Sequence, residues 1–239
     1  MPNLGFVPST HSKLSTHVHR KTPFSLMPFP PWKGINFKQR KKGYIYNSKS
    51  SHMKALFAHF DTFIKLSDKA VKELESITVS QSLKKNEMLQ EIGQTCRTIY
   101  FIRKGLARIF YYNNGNDITE HFAFENEIVV RAESLFRGNP STKGIQMLED
   151  SEVLAINAPK LFKLYDQYPD IERLFRLIFE NEHIKTLQRL ESLQFHNATE
   201  RYAELSKSAE TIQRIPLKHI ASYLGITQVS LSRIRAMVK

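Results

Sequence analysis

The segment Thr227-Gln-Val-Ser-Leu-Ser-Arg-Ile-Arg235 carries side chains able to bond to the edges of base pairs. Arg233 can donate a forked pair of hydrogen bonds to guanine O6 and N7, Gln228 can read adenine or bridge to phosphate, and Val229 can meet a thymine methyl. Ser232 shares that outward side, and Thr227 stands near a backbone phosphate at the helix start. Arg235, Lys218 and Lys239 are read as phosphate contacts. The plainer alternative for Arg233 is a solvated surface charge.

Two short helices would have to position these groups. A helix opening just after Pro216 places Leu217, Ile220, Ala221 and Leu224 on one side. Gly225 breaks it, because a tight turn needs a residue able to take positive φ. Thr227 then caps a second helix, whose Val229 or Ser230, Leu231 and Ile234 return to the core while Ile226 plugs the turn. A small residue where helices cross, a glycine at the turn and a branched apolar residue beyond it form the helix-turn-helix pattern Ala221, Gly225, Leu231. A helical hairpin that merely packs on its own domain is the alternative.

Upstream, Asn197 with Glu200 reads as a capping box opening a helix over Ala198–Lys207. Before it, Ile171, Leu174, Phe175, Ile178, Ile184, Leu187, Leu190 and Leu193 mark one long helix after Pro169, over residues 169–196. That stripe is longer than a small domain needs to cover itself, so part of it should meet a partner, most simply the same helix of a second subunit. A short helix around Leu161–Tyr165 precedes it.

The region before is β-rich. Thr98–Ile102, Ala107–Tyr112, Ile118–Phe124, Ile145–Leu148 and Val153–Ile156 read as short strands, with hairpin or reversal signals at Asn113–Asp117 and Gly138-Asn139-Pro140. Their spacing suggests a small sandwich or roll. Phe57, Phe60, Phe63, Ile64, Val71, Leu74 and Ile77 indicate two short helices on either side of Leu66-Ser67-Asp68. Tyr100, Phe110, Tyr111, Phe122, Phe124 and Phe136 read as roll core rather than a ligand cage.

Composition bounds the function. The 239 residues allow one large or two small domains, and 41% hydrophobic with 24% charged residues is ordinary for a globular chain. No run of about 18 apolar residues suggests a membrane span. The formal charge is +12, but nine Lys/Arg and no Asp/Glu lie in residues 1–52, together with six of the ten prolines, so the rest of the chain carries only +3. Residues 1–52 are therefore expected to be a basic, Pro-rich disordered leader, or an extension upstream of a start at Met53. The single Cys96 cannot supply a disulfide, an iron–sulfur cluster or a Cys-rich zinc site, and a cytoplasmic location is expected. His121 is conceivable as a haem ligand, but a lone strand histidine is usually structural. No phosphate loop, His-Glu-x-x-His or nucleophile elbow is visible, so no catalytic or metal site and no enzymatic activity is expected.

The phrases "AxxLGIT…LSRIR", "IYFIRKGLARIF", "LEDSEVLAI" and "ERYAEL" are similar to those of the CRP/FNR family of bacterial transcription regulators, over about residues 53–239. The resemblance implies an α+β chain with a double-stranded β-helix (a cyclic-nucleotide-binding-like jelly roll) over 53–168. A dimerisation helix would follow over 169–196, and a winged helix-turn-helix DNA-binding domain over 197–239. With only one turn after Arg235, wing strands are expected around Thr211–Ile215. It further implies a homodimer on double-stranded DNA, with RNA polymerase as a further partner and no membrane. The alternative is a ligand-sensing or interaction module whose DNA head does not read.

In ligand-binding relatives of the family, a Glu holds the ribose and an Arg neutralises the cyclic phosphate. The corresponding stretch here puts Glu127 at the first place, after Asn126 instead of Gly, and Ser141 at the arginine's place. Lys143, Arg131 or Arg137 could approach, with Thr142 alongside; a weak ligand pocket is thus assigned to Glu127, Arg131, Ser141, Thr142 and Lys143. A buried phosphodiester without a cation is costly, so no tight cyclic AMP binding is expected, and any other effector is unidentified.

Overall fold

A computed structural model describes residues 49–207 and 212–237. Helices α1 (Lys49–Asp61) and α2 (Asp68–Ser76) come first, the latter capped by the Ser67 hydroxyl, which accepts from the Ala70 amide. Eight strands follow: β1 (Thr78–Leu83), β2 (Met88–Gln90), β3 (Thr98–Lys104), β4 (Ala107–Asn113), β5 (Asn116–Ala123), β6 (Ile128–Val129), β7 (Gly144–Met147) and β8 (Ser151–Asn157). A short helix, α3 (Ala132–Arg137), sits between β6 and β7. Beyond the strands come α4 (Ala158–Tyr165), α5 (Pro169–Phe195), α6 (Ala198–Leu205), α7 (Leu217–Leu224) and α8 (Gln228–Met237).

The strands form two antiparallel four-stranded sheets, ordered β1-β8-β3-β6 and β2-β7-β4-β5. The central strands are covered on both faces, and successive side chains along them alternate between the two. Tyr100 and Ile102 of β3 point into the roll with Ala107, Ile109, Ile145, Met147 and Val153. Their neighbours Ile99 and Phe101 point outward onto Leu56, Phe60, Leu74, Leu161, Leu174 and Phe175 of the helices. On the opposite sheet Leu106, Phe122 and Leu148 face outward onto the C-terminal helices. Gly105, at φ 106°, admits no side chain, because an added Cβ would lie 2.0 Å from the Ser151 hydroxyl.

Several expectations change here. Helix α1 begins at Lys49, so it runs across the boundary placed at 52/53, and Met53 is buried; residues 1–48 of the expected leader lie outside the described residues. Strands β1, β2 and β6 add to the five read from sequence. Phe136 is not roll core: it is exposed on α3, stacked on Phe162 and edge-on to Phe179. The expected wing strands are not seen among the described residues. Residues 212–213 are helical and 214–215 form a turn, because Ile215 is buried and Arg214 is tied to two carboxylates of the roll; Thr211 lies outside the described residues.

Candidate nucleic-acid interface

Helices α7 and α8 stand as a pair joined by Gly225, which takes the left-handed conformation at φ 69°. Its amide and that of Ile226 close back on carbonyls of α7, the latter on Ala221 at 3.0 Å. The Thr227 hydroxyl accepts from the Ser230 amide at 3.1 Å and so caps α8. Ile220, Ala221, Leu224, Leu231 and Ile234 are buried together with Tyr202 and Ile215.

On the other side, Thr227, Gln228, Val229, Ser232, Arg233 and Arg235 are all exposed on α8 and its cap, and Lys218 is exposed on α7. Val229 is 63% exposed and so does not return to the core, which leaves the half-buried Ser230 in that place. Leu217, expected inward, is 41% exposed. Lys239 lies outside the described residues.

Guanidinium groups from neighbouring helices hold the end of α7. Arg189 of α5 donates to the Tyr223 carbonyl and lies 3.7 Å over the Tyr223 ring. Arg201 of α6 donates to the Leu224 carbonyl at 2.8 Å. These satisfy carbonyls that a helix end leaves open. The Asn197–Glu200 capping box forms in full.

The pair also rests on the roll through charged contacts that periodicity did not reveal. Arg108 of β4 is buried and donates to both oxygens of Asp117, at 2.5 and 2.7 Å, to Gln146 at 3.0 Å and to Thr119 at 3.2 Å. Its Nη1 also meets Nδ1 of His219 on α7 at 2.9 Å, so that nitrogen must carry the lone pair. Burial, and then the Arg108 charge, lowers the His219 pKa to about 4. Burial pushes Asp117 up, but the guanidinium overrides it and holds the carboxyl below the usual range. Ser222 completes the contact, accepting from the Thr119 amide at 3.1 Å.

A second charged contact uses Arg214, whose fork donates to Glu125 at 2.6 and 3.0 Å and to Glu149 at 2.5 and 3.2 Å. Both carboxylates sit on roll turns, and Glu125 also accepts from the Gly105 amide. The one sequence sign of Arg108 is its position between Leu106 and Phe110, a lone charge on a strand whose two faces are otherwise apolar.

In the roll, Arg131 and Lys143 both face Glu120, at 3.9 and 2.6 Å, and Lys143 lies over the Tyr111 ring. Glu120 is the extra residue of a β-bulge between β4 and β5. Glu127 is engaged apart from them, accepting from the Phe124 amide and lying 3.8 Å from Lys185. Ser141 is buried and bonds within its own turn to Lys143, while Thr142 is exposed. Ser141, expected at the place of the phosphate arginine, thus has its hydroxyl in use within its own turn, and the adjacent cations Arg131 and Lys143 are directed to Glu120. This set does not fit a cyclic phosphodiester. Burial lowers the pKa of His121. No group of three or more His, Cys, Asp or Glu able to hold a metal occurs among the described residues. No helix among them is long and apolar enough to cross a membrane.

Residues 80–168 match the cyclic nucleotide-binding domain family. The transcriptional regulatory protein btr of Bordetella pertussis is 30% identical over 99 residues, which are 36% of this chain and 41% of that protein. The chain thus matches about two-fifths of the length of that relative. Among solved structures, a transcriptional regulator of the CRP/FNR family from Eubacterium rectale superposes with a TM-score of 0.62 at 16% identity, covering 75% of this chain and 87% of that one. FixK2 from Bradyrhizobium japonicum gives 0.59 at 17% identity, over 68% and 84%. These two likenesses are of fold.

Proposed function

We propose that the chain is a cytoplasmic, non-enzymatic transcription regulator of the CRP/FNR type that binds double-stranded DNA as a homodimer. Its roll senses a signal other than tightly bound cyclic AMP, and RNA polymerase is a further partner. One observation carries the reading: Gln228, Val229, Ser232 and Arg233 are exposed along one side of α8 while Leu231 and Ile234 are buried behind them. Such a helix can enter a major groove without unpacking its own core.

The test is selection of bound fragments from random duplex DNA with the full chain, repeated with Arg233→Ala. The wild type should enrich a two-fold symmetric site. The variant should lose about 1–3 kcal/mol on it and relax the preference at one base pair per half-site. Equal binding by both proteins across all sequences would favour a head that packs on the roll and does not read DNA.

A second measurement addresses the effector. With Ser141 in the arginine's place, calorimetry should find no cyclic AMP affinity tighter than about 10 μM. A tighter complex would show that Arg131 or Lys143 leaves Glu120 to meet the phosphate.

A further inference from the structure

The two charged contacts between roll and head have a consequence beyond adhesion. Apolar packing holds the surfaces together: Leu106, Phe122 and Leu148 meet Ile220, Ala221 and Leu224, and the Tyr223 ring lies 5.0 Å from that of Phe122. Such contact is non-directional, and by itself it tolerates sliding and rotation. Forked guanidinium–carboxylate bonds do not, because both nitrogens must meet both oxygens in one plane. Arg108, itself held by a forked pair to Asp117 inside the roll, reaches the head through a single bond from Nη1 to Nδ1 of His219 near the start of α7. Arg214 fixes the segment leading into α7 against two separate turns of the roll. Arg189 and Arg201 fix the far end of the same helix. Helix α7 is thus held along its length, and α8 follows it rigidly through Gly225.

We propose that the Arg108–Asp117–His219 and Arg214–Glu125–Glu149 clamps are positioning residues that set the spacing between DNA half-sites the dimer accepts. This rests on the DNA-reading, dimeric function proposed above. The base preference lives in the exposed face of α8. The separation and rotation of the two heads are fixed by where each clamp seats its head on the roll. One inserted base pair displaces a half-site by about 3.4 Å and turns it by about a tenth of a revolution, more than a doubly forked clamp can follow and within reach of a head held by apolar contact alone.

The experiment uses full-length protein and duplexes bearing the selected half-sites at the natural spacing and with one base pair added or removed. Wild type should discriminate against the altered spacings by about tenfold or more, a loss of the size of a mismatched base pair. Arg214→Gln, and Arg108→Met combined with it, should bring that ratio under about threefold while the base preference within each half-site stays unchanged, a split that general destabilisation would not produce. Arg214→Lys, which keeps charge without the fork, should fall between. Should the double variant not fold, the Arg214→Gln and Arg214→Lys pair carries the comparison. Unchanged spacing discrimination in folded clamp variants overturns the proposal while the regulator reading stands. Absence of any sequence-selective binding by the wild type overturns both.

Discussion

Leu187→Glu combined with Leu190→Glu should give a folded monomer whose operator affinity is lower by two orders of magnitude or more. Helix α5 has 27 residues, so at about 1.5 Å per residue it extends about 40 Å. Its first half is used by the protein itself, with Ile171, Leu174, Phe175 and Ile178 buried against the roll's outer helices and β3. Beyond that the apolar residues continue at Ile184, Leu187, Leu190 and Leu193, yet these are 44–54% exposed. These four large aliphatic side chains, three residues apart and so winding half a turn around the helix, belong to no buried cluster among the described residues. Being already about half covered, each of those that became fully buried against a twin helix would gain about half of the ~1.5–3 kcal/mol of full burial. A carboxylate at two of these positions would have to be desolvated on association, which reverses the sign. Glutamate is a good helix former and the sites are exposed, so the monomer fold should be unaffected. Loss of pairing removes the second half-site's contribution, which acts as an effective concentration. Sedimentation at micromolar concentration, with anisotropy on an operator duplex, measures both consequences. A variant that still sediments as a dimer would place the interface elsewhere.

What was legible in the sequence was whatever periodicity or local sterics dictates. Strands β3, β4 and β8 read clearly because both of their faces are buried in sequence-local alternation. The helix pair α7 and α8 was legible because Ala221, Gly225 and Leu231 each answer a separate steric demand. Strand β1, Thr-Val-Ser-Gln-Ser-Leu, did not, since only Thr78 of its six residues is buried and its place follows from pairing with β8. The clamps were illegible for a different reason. Arg108 and His219 are 111 residues apart, and Arg214 is 65 from Glu149 and 89 from Glu125. Partnership across such separations leaves no periodic trace. Glu120 was illegible for another reason: a bulge shifts it out of strand alternation and turns it toward Arg131 and Lys143. The weak pocket assigned to Glu127, Arg131, Ser141, Thr142 and Lys143 thus divides. Two of its cations converge on a residue not included in it, and its glutamate lies with Lys185.

The second large effect is acid sensitivity. In the folded chain His219 has a pKa of about 4 against an ordinary 6.5, because it is buried and its Nδ1 accepts from a guanidinium. The unfolded chain therefore binds the proton first as pH falls. Stability from this group is complete above about pH 6.5 and is lost progressively down to about pH 4. At about 1.4 kcal/mol per unit, the loss between pH 7 and 5 is about 1–2 kcal/mol once solvent access is allowed for. His59 and His121, both lowered chiefly by burial, act in the same direction. Asp117 and Glu125, held below the usual carboxylate range by Arg108 and Arg214 respectively, extend the loss below about pH 4. Urea midpoints at pH 7 and pH 5 should therefore differ clearly for the wild type. His219→Gln keeps a carbonyl oxygen for Arg108 and removes the titration, so its unfolding free energies at the two pH values should differ by about 1–2 kcal/mol less. Equal pH dependence in the two proteins would mean that His219 is not the neutral acceptor of the clamp, and that Arg108 is satisfied by the roll alone.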